Sequence, residues 1–359
     1  MRIRFIIPGD INTPSGGYRY DRTILEEWRA LNVAYDLVSL SGSYPMPSDN
    51  DKALAFSVID ECDDADITII DGLAGGGFPE LMELLSKKAP CISLLHHPLS
   101  LENGISQTDA RFLEASEREG LAFTKAVITT SPATSKTVAD LFAIDNDVIH
   151  TVEPGVTRAA PIEFRTKPPL SILSVGSITQ RKGHDVLIKA VAQIADKPWQ
   201  LTIIGPQHFD PAHFRELTDL CQELGVSDRI TFLDGLSEEA LSRQYAKADI
   251  FALASRYEGY GMAYAEAIVR SIPVVGTTAG AIPDTVPLEA GILTAADDVE
   301  AFSKALSSLL NDTPLRRKKH LGALAAEPNF PTWSGSAKKI LEILERLCLL
   351  YTSPSPRDS

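Results

Sequence analysis

Long hydrophobic runs are missing from this 359-residue chain: nowhere do about 18 apolar residues follow one another, so no membrane-spanning helix is expected. Cysteine is scarce. Cys62, Cys91, Cys221 and Cys348 lie far apart and form no CxxC spacing, which argues against a zinc site and a disulfide framework and fits a reducing cytoplasm. Positive charge is also short, with 34 Lys and Arg against 48 Asp and Glu and a net charge of −14. Such a field does not attract nucleic acid. The deficit is uneven. Residues 1–166 carry 14 basic and 25 acidic side chains, a balance of −11, and the remainder carries 20 and 23, a balance of −3. Charge therefore gives no support to contact between the first half and an anionic membrane, although a place peripheral to its inner face stays open beside the cytoplasm. No full GxGxxG occurs, which argues against a dinucleotide cofactor. No Asp-x-Asp motif forms an evident metal site, because Asp63-Asp64-Ala65-Asp66 precedes a strand and reads as a solvated turn. The opening Met1–Pro8 is too short, and lacks the small-residue cleavage site, for a signal peptide. It reads as a first buried strand.

What is present is an ordinary globular composition, 44% hydrophobic and 23% charged, at a length that suggests two domains. Short apolar runs alternate with amphipathic stretches. Strands are predicted at 3–7, 34–40, 66–70, 90–95, 126–130 and 148–152, with helices at 18–31, 51–62, 79–87, 108–124 and 132–142. The proline-rich, aperiodic stretch 158–169 reads as a linker. A second series follows, with strands at 170–175, 200–204, 229–233, 249–254, 272–275 and 291–293 and helices at 184–195, 211–224, 238–246, 262–270, 297–310 and 314–325. Near-continuous apolar strands alternating with helices mean parallel sheets covered on both faces. The expected fold is α/β: two doubly wound Rossmann-like domains, 1–166 and 167–330, facing across a cleft at the carboxyl ends of their strands. An amphipathic helix follows within 331–350. The aperiodic tail 351–359, with two prolines, looks foreign to the domain.

Chemistry concentrates in five places. Glu258 and Glu266 stand eight positions apart, the first in a glycine loop with Gly259, Tyr260 and Gly261, the second on a helix starting at Met262. The loop offers backbone N–H groups at a helix start, suited to an anion, and a carboxylate on either side suits hydroxyls. A nucleotide sugar has phosphates at its centre and hydroxyls at both ends. Arg181 and Lys182 lie between a strand and a helix, where fixed cations stabilise charge growing on a departing diphosphate. Gly16 and Gly17 follow the first strand and open a helix, where backbone can approach a phosphate closely or simply turn. His96 and His97 end a strand just before Pro98. Asp71 and the glycines after it end another, and either shape an acceptor pocket or form a flexible loop.

In order along the chain, Pro14-Ser-Gly-Gly17, Val175-Gly-Ser-Ile-Thr-Gln-Arg-Lys-Gly183, the Glu258/Glu266 motif and Thr278-Ala-Gly-Ala-Ile-Pro-Asp284 resemble the retaining family 4 glycosyltransferases, of GT-B architecture. The resemblance spans most of residues 1–345. It implies a hexosyl-transferring enzyme that moves a sugar from a nucleotide-diphosphate donor, UDP- or GDP-linked, to an acceptor hydroxyl on a glycan or lipid-linked molecule in glycan, glycolipid or polysaccharide biosynthesis. It also implies retention at the anomeric carbon. Arg181, Lys182, Glu258 and a strand-end histidine are then the catalytic set, His97 being favoured and His96 the alternative. Gly16, Gly17, Gly259, Tyr260, Gly261, Met262 and Glu266 hold the donor, with Glu258 at the sugar and Glu266 at the ribose. Arg181 and Lys182 take the place of a metal, so no cofactor is expected. The resemblance further implies a hinge near Glu153–Val156 and a last helix, beginning near Trp333, that crosses back to the first domain. One position departs: many relatives carry Arg directly after the strand glycine, where this chain has Ser177. Two rivals are a nucleotide-sugar epimerase and a catalytically weak sugar-nucleotide-binding protein.

Overall fold

A computed structural model describes residues 1–352 except Gly42, Asn103 and Gly104, with side chains described as far as residue 349. The chain forms two compact units. One comprises Met1–Gly155 together with the chain from Trp333 onward, and the other Val156–Thr332. The first unit holds β1 (Ile3–Pro8), β2 (Tyr35–Leu40), β3 (Ile67–Asp71), β4 (Cys91–Leu95), β5 (Ala126–Thr129) and β6 (Ile149–Thr151). They form one sheet in the order β2-β1-β3-β4-β5-β6, and every pairing is parallel. The second holds β7 (Leu170–Val175), β8 (Trp199–Ile204), β9 (Ile230–Leu233), β10 (Ile250–Ala252), β11 (Val274–Thr277) and β12 (Gly291–Thr294) in the order β12-β11-β10-β7-β8-β9, again all parallel.

Both faces of each sheet are buried, which is why the strands read as unbroken apolar runs. In the second unit successive residues go to opposite sides. Ile172, Ile203, Ile250, Ala252 and Val275 enter one core with Leu187, Trp199 and Leu306. Leu173, Ile204, Phe251 and Val274 enter the other with Tyr264, Ile268 and Phe330. Many helices begin where a Ser or Asp supplies the missing acceptor: Ser48 forms a reciprocal capping box with Asp51, and Ser131, Ser237 and Asp298 accept from the backbone three residues on. Helices His184–Ala192 and Met262–Ile268 start instead at left-handed glycines, Gly183 (φ 62°) and Gly261 (φ 96°), with no side-chain cap.

Two departures from the sequence reading stand out. The glycine stretch after Asp71 is a short helix, Gly72–Gly75, capped by Asp71 Oδ1 on the Leu73 amide at 2.7 Å. Its glycines answer to crowding: a Cβ on Gly72 would lie 2.3 Å from the Leu95 side chain. The stretch read as a linker is tied to the second unit. The Val156 amide donates to Pro331 O and the Ile162 amide to Arg270 O, each at 2.9 Å, and Arg165 pairs with Asp249 at 2.9 Å.

Within the first unit the helix Trp333–Thr352 packs on the helix Gly16–Ala30. Trp28 Nε1 donates to Ala337 O at 3.1 Å, and Trp333 meets Tyr20 edge to face at 5.9 Å. Tyr351 and Thr352, expected in a foreign tail, are the last residues of this helix, and 353–359 lie outside the described residues. Asp63 and Asp66 pair with Arg2, at 3.0 Å to its side chain and 2.6 Å to its amide, at the amino end of the sheet. Among the described residues no helix is long and apolar enough to cross a membrane.

Strand order fixes where ligands bind. Connections leave β7 and β10 toward opposite edges of the second sheet, and β1 and β3 toward opposite edges of the first. Crevices open beyond the carboxyl ends at such reversals.

Candidate active site

At the reversal in the second unit, β7 ends at Val175 and leads through Gly176–Thr179 into a single 3-10 turn, Gln180–Lys182. The adjacent β10 ends at Ala252 and leads into the loop that carries Glu258. Glu258 is buried, 6% exposed. Lys182 Nζ donates to its Oε1 at 2.7 Å and Ser255 Oγ donates to the same oxygen at 2.6 Å. Arg181 Nη1 stands 3.7 Å from Oε2 and donates to Tyr257 O at 3.0 Å. Burial would raise the Glu258 pKa. The Lys182 and Arg181 charges, with the hydrogen bonds from Lys182 and Ser255, outweigh burial and hold it below the usual carboxylate value.

The local fold forces these groups together. Gly183 is left-handed, and a Cβ there would lie 2.0 Å from Ala254 O, so only glycine lets the basic turn close on the β10 loop. Gly280 (φ 57°) closes the other side: a Cβ would lie 2.3 Å from Glu258 O, which accepts from the Ala281 amide at 2.9 Å. The segment after β11 thus borders the Glu258 loop. Arg256 ties both loops. Its amide donates to Arg181 O at 2.8 Å, and its guanidinium reaches Gln180 O, Asp185 (3.0 Å) and Asp297 (2.7 Å). The Lys182 stem runs over Gly176, where a Cβ would meet its Cδ at 3.2 Å. Buried His184 donates from Nε2 to Ser177 O at 3.3 Å. Burial draws its pKa down to about 4, so the ring is neutral and braces the turn.

Glu266 belongs to the next element. It is 7% exposed on the helix Met262–Ile268, and the Tyr245 hydroxyl donates to its Oε2 at 2.9 Å. Gly259, Tyr260, Gly261 and Met262 join the two glutamates. The Tyr260 ring is buried in the core and its carbonyl accepts from Thr285 Oγ1.

In the first unit Gly16 and Gly17 open the helix after β1, with Ser15 as cap. The ring against them is His96: a Cβ on Gly17 would lie 3.0 Å from His96 Cδ2. Its Nε2 lies 3.2 Å from Asp21 Oδ1 and 3.3 Å from Asp71 Oδ2. His97, the histidine favoured from the sequence, turns to Glu102, with Nε2 2.8 Å from Oε2. The two rings follow one strand end, and the chain sends consecutive side chains opposite ways.

Arg181, Lys182 and Glu258 are brought together and Glu266 is fixed separately. Tyr245, Ser255, Arg256 and Asp21 had no place in the sequence reading. Tyr245 and Arg256 carry no spacing signal. Asp21 does: it lies within the buried stripe Tyr20, Asp21, Ile24, Leu25, Trp28, where an ionisable residue needs a partner.

Residues 158–321 match the family described as glycosyl transferases group 1. The D-inositol 3-phosphate glycosyltransferase of Xylanimonas cellulosilytica is 28% identical over 244 residues, 63% of this chain and 58% of that protein. The chain spans about half the length of the curated relatives it matches. Among solved structures, a sucrose-phosphate synthase from Thermosynechococcus elongatus superposes with a TM-score of 0.82 at 20% identity, covering 97% of this chain and 99% of that one. Anabaena HepE, solved with UDP and glucose, superposes with a TM-score of 0.76 at 17% identity, covering 96% and 100%. At these identities the likeness is one of fold, and the fold is GT-B. The segment that matches the glycosyl transferases group 1 family, 158–321, is the one that holds Arg181, Lys182, Glu258 and Glu266.

Proposed function

We propose that the chain transfers a hexosyl group from a nucleotide-diphosphate sugar, UDP- or GDP-linked, to a hydroxyl of a glycan or lipid-linked acceptor, with retention of anomeric configuration. The observation that carries this is the buried cluster of Lys182, Arg181 and Glu258 at the strand-order reversal of the second unit. In the structure Glu258 holds both cations on a shared carboxylate. An arriving diphosphate competes for them, and its charge grows as the sugar departs, so the cations stabilise the transition state more than the ground state. Released from Lys182, the Glu258 carboxylate accepts from a sugar hydroxyl. Glu266, held by the Tyr245 hydroxyl, accepts from the ribose diol. The bond from the anomeric carbon to the phosphate oxygen breaks, the bond to the acceptor oxygen forms on the same face, and the acceptor proton passes to the departing phosphate. The first unit binds the acceptor. Arg181 and Lys182 supply the charge a metal would supply elsewhere.

A thermal-shift panel of UDP, GDP, ADP and their sugars tests the donor. A true donor at about 100 times its Kd adds about 2.7 kcal/mol of stability, and Glu266→Gln weakens that ligand specifically. Product NMR reads the anomeric centre, and inversion defeats the retention claim. Interconversion of the donor sugar without acceptor defeats transfer.

A further inference from the structure

At the strand-order reversal of the first unit, three ionisable groups from separate elements meet around one nitrogen: Asp21 from the helix Gly16–Ala30, Asp71 from the end of β3, and His96 from the end of β4. Among the described residues, buried Asp21 has no hydrogen-bond partner at Oδ2, and its Oδ1 lies 3.2 Å from His96 Nε2. Asp71 is 5% exposed, and its other oxygen is taken by the Leu73 amide. We propose that Asp21 and Asp71 are positioning residues that hold His96 as an imidazolium, its Nε2–H committed to the two carboxylates and its Nδ1–H left to donate to a neutral hydroxyl oxygen of a sugar or polyol ligand.

Three lines of physical chemistry lead there. First, a neutral ring at this place would leave two buried carboxylates facing each other with no counter-charge, the costliest arrangement of the three. Burial alone favours the neutral ring, but the charges and hydrogen bonds of Asp21 and Asp71 outweigh it and raise His96 to about 10. Burial pushes Asp21 up to about 6 against the pull of His96, which still leaves it ionised at neutral pH. Second, Tyr20, Thr130 and Tyr18, on the other faces, are neutral. Tyr20 meets the ring edge to face at 5.4 Å, Thr130 Oγ1 donates to the His96 carbonyl at 3.2 Å, and Tyr18 donates to Pro8 O. Tyr18 is itself raised to about 12, by burial first and then by Asp71, Asp21 and Asp10. Third, two carboxylates and one imidazolium sum to one negative charge. That repels a diphosphate and leaves a hydroxyl oxygen as the fitting acceptor for Nδ1–H. A permanently protonated His96 also cannot be the base for an acceptor hydroxyl, which agrees with a proton leaving on the phosphate.

The inference rests on the proposed transfer only for the identity of the ligand, so its primary test uses the full chain without donor or acceptor. In protein labelled with 15N-histidine, long-range 1H–15N spectra report the protonation of each ring, with His96 assigned through His96→Gln. Wild-type His96 should remain doubly protonated at pH 8.5, and isosteric Asp71→Asn should lower its midpoint by about one pH unit or more. A wild-type midpoint near the ordinary 6.5 overturns the proposal, and this reading needs no variant that must fold. Stoichiometric uptake of Zn²⁺ or Mn²⁺ that displaces the Nε2 proton overturns it too, as does an unchanged midpoint in Asp71→Asn. In the transfer assay, Asp71→Asn should gain an alkaline fall in kcat/KM at its new His96 midpoint, and the wild type should show no fall between pH 6 and 8.5.

Discussion

Replacing Lys182 by methionine removes the nearer of the two cations that neutralise Glu258 while keeping most of the side-chain volume. The pair is mostly buried, with side-chain exposures of 14% and 8%. Breaking such a pair at one end costs about 3–5 kcal/mol, because the surviving charge stays in a poorly solvating site. Ser255 at 2.6 Å and Arg181 at 3.7 Å remain beside Glu258, which puts the expected loss near the lower end, about 3 kcal/mol. For a unit of this size that is roughly 6–12 °C in Tm. The pH dependence carries the sign. In the wild type the Glu258 pKa is depressed, so its contribution is present above the ordinary carboxylate value and is lost as pH falls through the folded value. In Lys182→Met burial dominates and the pKa moves up, so Glu258 costs stability at neutral pH. The difference between the two proteins should therefore be largest near pH 7 and shrink as pH falls, closing only below the depressed wild-type value, where both hold a protonated carboxyl. Lys182→Met combined with Glu258→Gln should recover stability to within about 1 kcal/mol of wild type, because both charges leave together, and should stay inactive. Urea unfolding across that pH range is the assay. Wild-type stability in the single variant, or no recovery in the double, refutes the account of the pair.

Gly280→Ala should cost about 1–3 kcal/mol and lower kcat/KM, since the new Cβ combines a left-handed backbone with a collision against Glu258 O; unfolding and kinetics with unchanged values would show that the loop tolerates the shift. Tyr245→Phe should cost about 0.5–1.5 kcal/mol and weaken nucleotide binding more than it slows turnover, because it removes the hydroxyl that donates to Glu266 Oε2; a fall in kcat with KM unchanged would contradict that role.

Much of the architecture is legible in the sequence because it depends on local pattern. Strands buried on both faces must be apolar throughout, so β1, β7 and β8 stand out, and a Ser or Asp before a helical period marks a start, as at Ser48 and Ser131. The basic turn and its glutamate are legible for a related reason: Gly183 and Gly280 are demanded by backbone approach, which leaves a mark in the sequence. What escapes is pairing across distance. Tyr245 with Glu266, Arg256 with Asp185 and Asp297, and Asp21 with His96 each join elements whose order in space is set by the sheet. Glycine is ambiguous when it serves packing. The stretch after Asp71 reads as a loop because a residue kept small by Leu95 looks the same in sequence as one kept flexible. The stretch 156–166 has no periodicity because its bonds run to scattered sites on the second unit.

The helix Trp333–Thr352 gives the first unit a discontinuous chain, with Val156–Thr332 inserted between its parts. During synthesis the order of completion is then the reverse of the order of numbering. The second unit has all of its residues once the ribosome passes Thr332, while the first still lacks the helix that covers Trp28 and Tyr20. Those aromatic faces wait in the nascent chain for roughly the time needed to make the inserted unit, about 10–35 s at 5–20 residues per second. The unit that starts first is thus the last to be completed, and a stop codon just after Thr332 would remove the helix that covers Trp28 and Tyr20 while leaving the second unit whole.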